Sequence, residues 1–203
     1  MRPSPSSGSP WIQVTRKDFD DPFDQRYPSG PYMDFIVKSN TATEKSFGLL
    51  VITFYELEPI YADHFRNDCK PPTSWSIGPL CLTKLPKNLN LGFEKKKKPW
   101  MEWLDRHSPV LYVAFGSQVQ ISPAQLLEIA LGLVSAEVSF LWVAKKSEMD
   151  EVEVETERGL VVTEWVDQEE ILEHPSVRGF LSHCWWNSVL DGVYFVHLIY
   201  LPT

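Results

Sequence analysis

From Ser108 onward the chain alternates short apolar runs with stretches of helical spacing, and this alternation constrains the fold more than any other feature. Residues 110–115, 139–144, 160–165 and 177–182 are rich in β-branched and aromatic side chains. Each run is too short for a buried helix and reads as a buried strand. Residues 197–201 read as a last apolar strand. Between the first two runs, Ser122-Pro123 supplies an N-cap followed by proline at the first helical position. Leu126, Leu127, Ile129, Ala130, Leu133 and Val134 then recur at helical spacing. Residues 169–174 and the segment opening at Trp186 read as further helices, and 148–158 as an exposed polar loop. Strands alternating with helices imply βαβ units and a parallel sheet. In such sheets ligands sit beyond the carboxyl ends of the strands. Those ends carry Ser117, Trp165 and His183.

The first half is less regular. Prolines from Pro3 to Pro31, mixed with Ser, Gly and Asp, make residues 1–32 read as irregular surface loop. Residues 33–47 read as a helix, 48–54 as a buried strand, 56–66 as a short helix and 76–80 as a turn or strand end. Residues 81–99 lack periodicity and contain Lys95-Lys96-Lys97-Lys98. Four adjacent lysines repel one another and seek water, so this stretch reads as a solvated connection. A nucleic-acid patch is disfavoured, because no second basic cluster or interleaved aromatic supports it.

Composition then excludes several classes. With 203 residues, 43% of them hydrophobic and 23% charged, the chain has ordinary globular character. A net charge of −8 argues against phosphate-backbone binding. No apolar run approaches bilayer-spanning length, which predicts no membrane span. Residues 1–20 hold no apolar core of a secretory signal, and Cys69, Cys81 and Cys184 are odd in number and far apart. Both points predict a cytoplasmic, reducing setting. No CxxC or HExxH spacing is present, so no metal site is expected.

The chemistry concentrates between Trp165 and Ser188. Trp165-Val166-Asp167-Gln168, Ile171-Leu172, His174, Gly179-Phe180 and Ser182-His183-Cys184-Trp185-Trp186-Asn187-Ser188 follow one another in order. This segment resembles the signature box of plant UDP-dependent glycosyltransferases, W-x-x-Q-x-x-I-L-x-H followed by G-F-x-x-H-C-G-W-N-S. Phe115-Gly116-Ser117, Ser122-Pro123-Ala124-Gln125 and Phe140-Leu141-Trp142-Val143 resemble the start of that family's nucleotide domain. Ile77-Gly78-Pro79-Leu80 resembles the end of its acceptor domain. The resemblance covers the chain from about residue 18 onward. It implies an α/β fold of the GT-B kind, with a Rossmann-like parallel-sheet nucleotide domain and the end of a second Rossmann-like acceptor domain. The expected division is 1–80 for the acceptor part, 81–107 for a linker and 108–203 for an incomplete UDP-sugar-binding domain.

A uracil wants an aromatic face, a ribose diol wants hydrogen-bonding partners, and a diphosphate wants a helix N-terminus with donors around it. The resemblance places Trp165 under the base, with Val166 beside it, and gives Gln168 and Asp191 to the sugar and base edges. His183, Trp186, Asn187 and Ser188 fall at the start of the helix that meets the phosphates, and Ser117 is a second donor for them. Asp191 stands where the family has a glutamate. Trp142 reads as core, His174 as a structural helix-end residue, Cys184 as a small packed residue, and His64 and His107 as surface histidines.

The resemblance implies inverting transfer of a hexose, glucose in the first instance, from a UDP-sugar to a hydroxyl of a small plant metabolite such as a flavonoid. The UDP-sugar is the donor substrate; no cofactor or metal is implied, and a monomer is expected. In the family the catalytic base is a histidine near the start of the acceptor domain. This chain resembles only the later part of that domain, so no catalytic residue is assigned. Trp185 stands where the box has glycine, Asp167 replaces a proline, and the acidic-Gln pair that ends the family's box is absent. The expectation is therefore of a fragment truncated at both ends and inactive alone. The alternative is a non-catalytic remnant that binds UDP weakly or associates with a full-length relative. A nucleotide-sugar epimerase on the same architecture is disfavoured by the spacing of the box.

Overall fold

A computed structural model describes residues 4–6, 9–19, 21–68, 73–83, 97–149, 156–195 and 198–200. The chain divides into two compact units, Met1–Gly78 and Pro79–Thr203.

In the second unit the alternation becomes a five-stranded parallel sheet. Its strands are β5 (Val110–Ala114), β6 (Ser139–Val143), β7 (Gly159–Val162), β8 (Val177–Ser182) and β9 (Leu198–Tyr200). Their order is β7-β6-β5-β8-β9, and every neighbouring pair is parallel. The chain winds outward from β5 to one edge, returns past it, and winds to the other edge. This is the doubly wound order of a Rossmann-like domain, and its switch point lies between β5 and β8.

Side chains alternate across the sheet and feed two cores. Val113, Phe115, Phe140 and Trp142 meet Leu126, Ala130 and Leu133 of helix α4 (Pro123–Ser135) on one face. Trp142 is fully buried there, as expected. The N-terminus of α4 is closed by a capping box. Ser122 Oγ accepts the Gln125 N–H at 3.3 Å, and the Gln125 side chain takes the Ser122 N–H at 3.1 Å. On the other face Tyr112, Ala114, Leu141, Val162 and Phe180 pack with Ile171 and Leu172 of helix α6 (Gln168–Leu172). Helix α7 (Trp186–Tyr194) joins β8 to β9, and a short helix α5 (Lys146–Met149) follows β6.

The expected linker is corrected in part. Within 81–107, residues 84–96 lie outside the described residues, but helix α3 (Pro99–Arg106) belongs to the second core. Trp100, Met101 and Leu104 are buried in it. Around α3, Ser176 Oγ donates to the Leu104 carbonyl at 2.8 Å, and His174 Nε2 meets Asp105 Oδ1 at 3.3 Å. His174 is thus taken up in the scaffold. Asp105 is held below the usual carboxylate range by hydrogen bonds from Lys97 and His174. His107, expected at the surface, is stacked on Trp103 with ring centroids 3.9 Å apart.

The first unit departs further from expectation. Residues 1–32 contain an antiparallel pair, β1 (Ser4–Ser6) with β2 (Ser9–Val14), despite Pro5 and Pro10. A two-stranded ribbon consists only of edges, where a missing N–H is tolerated. Helix α1 (Pro31–Glu44), strand β3 (Leu49–Val51), helix α2 (Pro59–Asp68) and strand β4 (Ser74–Ser76) follow, with β3 and β4 parallel. The expected buried strand at 48–54 is shorter and not buried: Leu50 is 62% exposed. Only one strand, β4, pairs with β3 among the described residues.

Replacing Leu104 by Ala should cost about 2–5 kcal/mol in urea unfolding, the range for a fully buried leucine. A near-neutral effect would contradict the place of α3 in the second core.

Candidate functional site

A cleft of about 760 Å³ opens at the carboxyl ends of β5, β6 and β7, beside the switch point. Phe115, Gly116 and Ser117 follow β5; Ala144, Lys145 and Glu148 follow β6; residues 163–169 follow β7. Asn187 and Asp191 of α7 close it.

Six of the nine residues singled out from the sequence line this cleft: Ser117, Trp165, Val166, Gln168, Asn187 and Asp191. Trp165 is 85% exposed, an indole face open to solvent. Gln168 Nε2 donates to Asp191 Oδ2 at 2.9 Å, so these two candidate residues are already joined. Asp191 also acts on its surroundings. Burial, with the Asp191 charge added, pushes the Tyr112 phenol far above its ordinary value. Val166 is placed differently from a side-chain ligand. It belongs to the buried core as well as to the lining of the cleft.

His183, Trp186 and Ser188 do not line the cleft. Helical period explains two of them. Asn187 and Asp191 stand one turn apart on one face of α7, whereas Trp186 and Ser188 fall about 100° to either side. Ser188 is buried and Trp186 is 40% exposed. His183 lies behind the first loop of the cleft. Gly116 has φ +79°, and a Cβ there would lie 2.9 Å from His183 Cε1 and 3.0 Å from Nε2. Only glycine combines that backbone with so close an approach. His183 Nδ1 is buried and has no hydrogen bond of good geometry among the described residues. Desolvation lowers the pKa of this imidazole, with the Ala114 backbone working against it.

Next to His183 the chain turns sharply. Cys184 has φ +55°, its N–H donates to Ser182 Oγ at 3.1 Å, and burial raises its thiol pKa. Trp185 is the N-cap of α7, and no side-chain hydrogen bond caps this helix. Its indole is 54% exposed and centred 5.3 Å from the His183 ring. The N-terminal dipole end of α7 thus has no side-chain cap.

Comparison with known proteins decides the family. The UDP-glucoronosyl and UDP-glucosyl transferase family matches residues 96–202, more than half of the chain. The chain belongs to this family. UDP-glycosyltransferase 90A1 of Arabidopsis thaliana is 43% identical over 194 residues, covering 91% of this chain and 39% of that protein. UDP-glycosyltransferase 90A2 of the same plant is 46% identical over 193 residues, covering 91% of this chain and 41% of that one. The chain thus spans about two fifths of the length of these relatives. A solved structure of Phytolacca americana UGT2, complexed with UDP-2fluoro-glucose and pterostilbene, superimposes with TM-score 0.71 at 29% identity. It covers 94% of this chain and 41% of that one. The GT-B-type α/β fold expected from the sequence is the fold of this family member.

Sequence reasoning passed over Lys145 and Glu148. They sit at the end of β6, where the rule that drew attention to Ser117, Trp165 and His183 would have found them. Lys145 is the one cationic side chain lining the cleft among the described residues, against Glu148, Glu164, Asp167, Glu169 and Asp191. Asp167, the proline replacement, caps α6 by accepting the Glu170 N–H at 3.2 Å. Among the described residues no His, Cys, Asp and Glu cluster is placed to hold a metal, and no helix is long and apolar enough to cross a membrane.

The lowered pKa of His183 means that the folded chain resists protonation there. Its contribution to stability is whole above the ordinary imidazole value of 6.5 and is lost as pH falls through the lower folded value. Urea unfolding from about pH 7.5 to about pH 5 should show this loss, and His183→Gln should flatten it. Parallel curves for the two proteins would contradict the desolvated placement of His183.

Proposed function

We propose that the cleft binds the UDP part of a UDP-sugar and serves transfer of a hexose, glucose in the first instance, to a hydroxyl of a small plant metabolite. The observation that carries this reading is the exposed indole of Trp165 sharing one cleft with the joined pair Gln168 and Asp191 and with α7. Uracil stacks on Trp165, and the Val166 main chain meets its edge. Gln168 and Asp191 take the ribose diol, which offers donors to the carboxylate. The diphosphate lies toward the N-terminus of α7, with Asn187 and Ser117 as donors and His183, Trp186 and Ser188 shaping the turn behind them. That end of the cleft suits an anion better than the end lined by Glu164, Asp167 and Glu169.

In the transfer step the acceptor oxygen forms a bond to C1 of the sugar from the face opposite the phosphate. The C1–O bond to UDP breaks, the anomeric centre inverts, and the hydroxyl proton passes to a base. The helix dipole and the donors around it stabilise charge growing on the departing diphosphate. No residue of this chain is assigned as the base. The unbridged thiols of Cys81 and Cys184 support a reducing, cytoplasmic setting.

A second reading, that the chain binds UDP without catalysing transfer, is favoured by Trp185. Its indole is centred 5.3 Å from the His183 ring at the N-cap of α7, and in this reading that bulk competes with a phosphate for the helix N-terminus.

Two titrations test the pair. Trp165→Ala should weaken UDP by about 1–3 kcal/mol, roughly five- to 150-fold in Kd, and abolish quenching of indole fluorescence by the nucleotide. Absence of heat with the unaltered chain at millimolar UDP would sink the donor reading. Trp185→Gly should tighten UDP; unchanged or weaker affinity would remove the steric case for the second reading.

A further inference from the structure

Lys145 has a place in the cleft that neither the signature box nor the donor contacts above assign. Its ammonium donates a hydrogen bond to the Val119 carbonyl and forms an ion pair with Glu148 Oε1 at 3.0 Å. Glu148 Oε2 accepts the Lys145 backbone N–H at 3.0 Å, which fixes the carboxylate in turn. The two side chains are 30% and 15% exposed, so water screens these contacts only in part. Val119 belongs to the loop between β5 and α4, which begins with Gly116 and Ser117. Among the described residues no other hydrogen bond reaches residues 117–121. This loop forms the wall of the cleft nearest the β5–β8 switch point.

We propose that Lys145 is a positioning residue that fastens the β5–α4 loop to the end of β6 and thereby holds Ser117 for the diphosphate. The part played by Ser117 rests on the donor reading above; the fastening does not. Glu148 takes up the lysine's charge and keeps its side chain directed at Val119. The ammonium therefore acts mainly through the loop. Trp165 follows β7, Gln168 opens α6 and Asp191 lies on α7, so none of them depends on this tether. Loss of Lys145 then separates the two halves of the ligand: nucleoside contacts persist while phosphate contacts loosen.

The test compares Lys145→Met and Lys145→Arg with the unaltered 203-residue chain. Backbone 15N relaxation without ligand should show increased fast motion at residues 117–120 in Lys145→Met and restored order in Lys145→Arg, whose guanidinium still donates. Titration should show UDP weakened about tenfold in Lys145→Met, with uridine unchanged and Lys145→Arg close to wild type. Unchanged relaxation in the loop overturns the fastening. Equal weakening of UDP and uridine overturns the selective role. An unaltered chain that binds neither ligand overturns the donor reading, and the relaxation comparison, which uses no ligand, still decides the fastening.

Discussion

The reversal of winding at β5 is the constraint on which the site depends. A chain that runs outward from β5 to β7 and then returns to β8 sends its connections to opposite faces of the sheet. The carboxyl ends of β5 and β8 therefore stand side by side with nothing crossing between them. The loop after β5 and the turn after β8 meet in that gap, and they meet closely: the His183 ring rests where a Gly116 side chain would be. A larger residue at 116 would push the two loops apart. The wall of the cleft is a packing contact before it is a binding surface.

Electrostatics then divides the cleft into two ends. Glu164, Asp167 and Glu169, in the segment after β7 and the start of α6, line one end with carboxylates. The side near α7 has a helix dipole and no side-chain cap. A neutral imidazole in that turn avoids the desolvation penalty of a buried charge. Trp185, at the N-cap of α7, sets its indole 5.3 Å from the His183 ring, where the resemblance has a glycine.

Much of the second unit was legible in the sequence. β5, β6 and β8 fall close to the apolar runs, because buried parallel strands need continuous hydrophobic residues. The Ser122-Pro123 start of α4 is a local signal and formed as read. The helix at 99–106 was obscured by the lysines before it and by its brevity. Its stability comes from burying Trp100, Met101 and Leu104 in a core assembled from distant segments. The exposure of β3 was obscured for the opposite reason, since an apolar run announces burial but not the partner that provides it.

The sequence by itself determined the alternating fold, the ordered box from Trp165 to Ser188 and, through that box, the family. These are local patterns of period and spacing, readable without neighbours. Tertiary structure alone decided which of those residues face one cleft. It joined Gln168 to Asp191 across 23 positions and set His183 on Gly116 across the switch point. It turned Ser188 and the Val166 side chain inward and tied Lys145 to Val119. Such choices follow from helix rotation and strand order, which act between residues far apart in the chain and leave no mark on its local pattern.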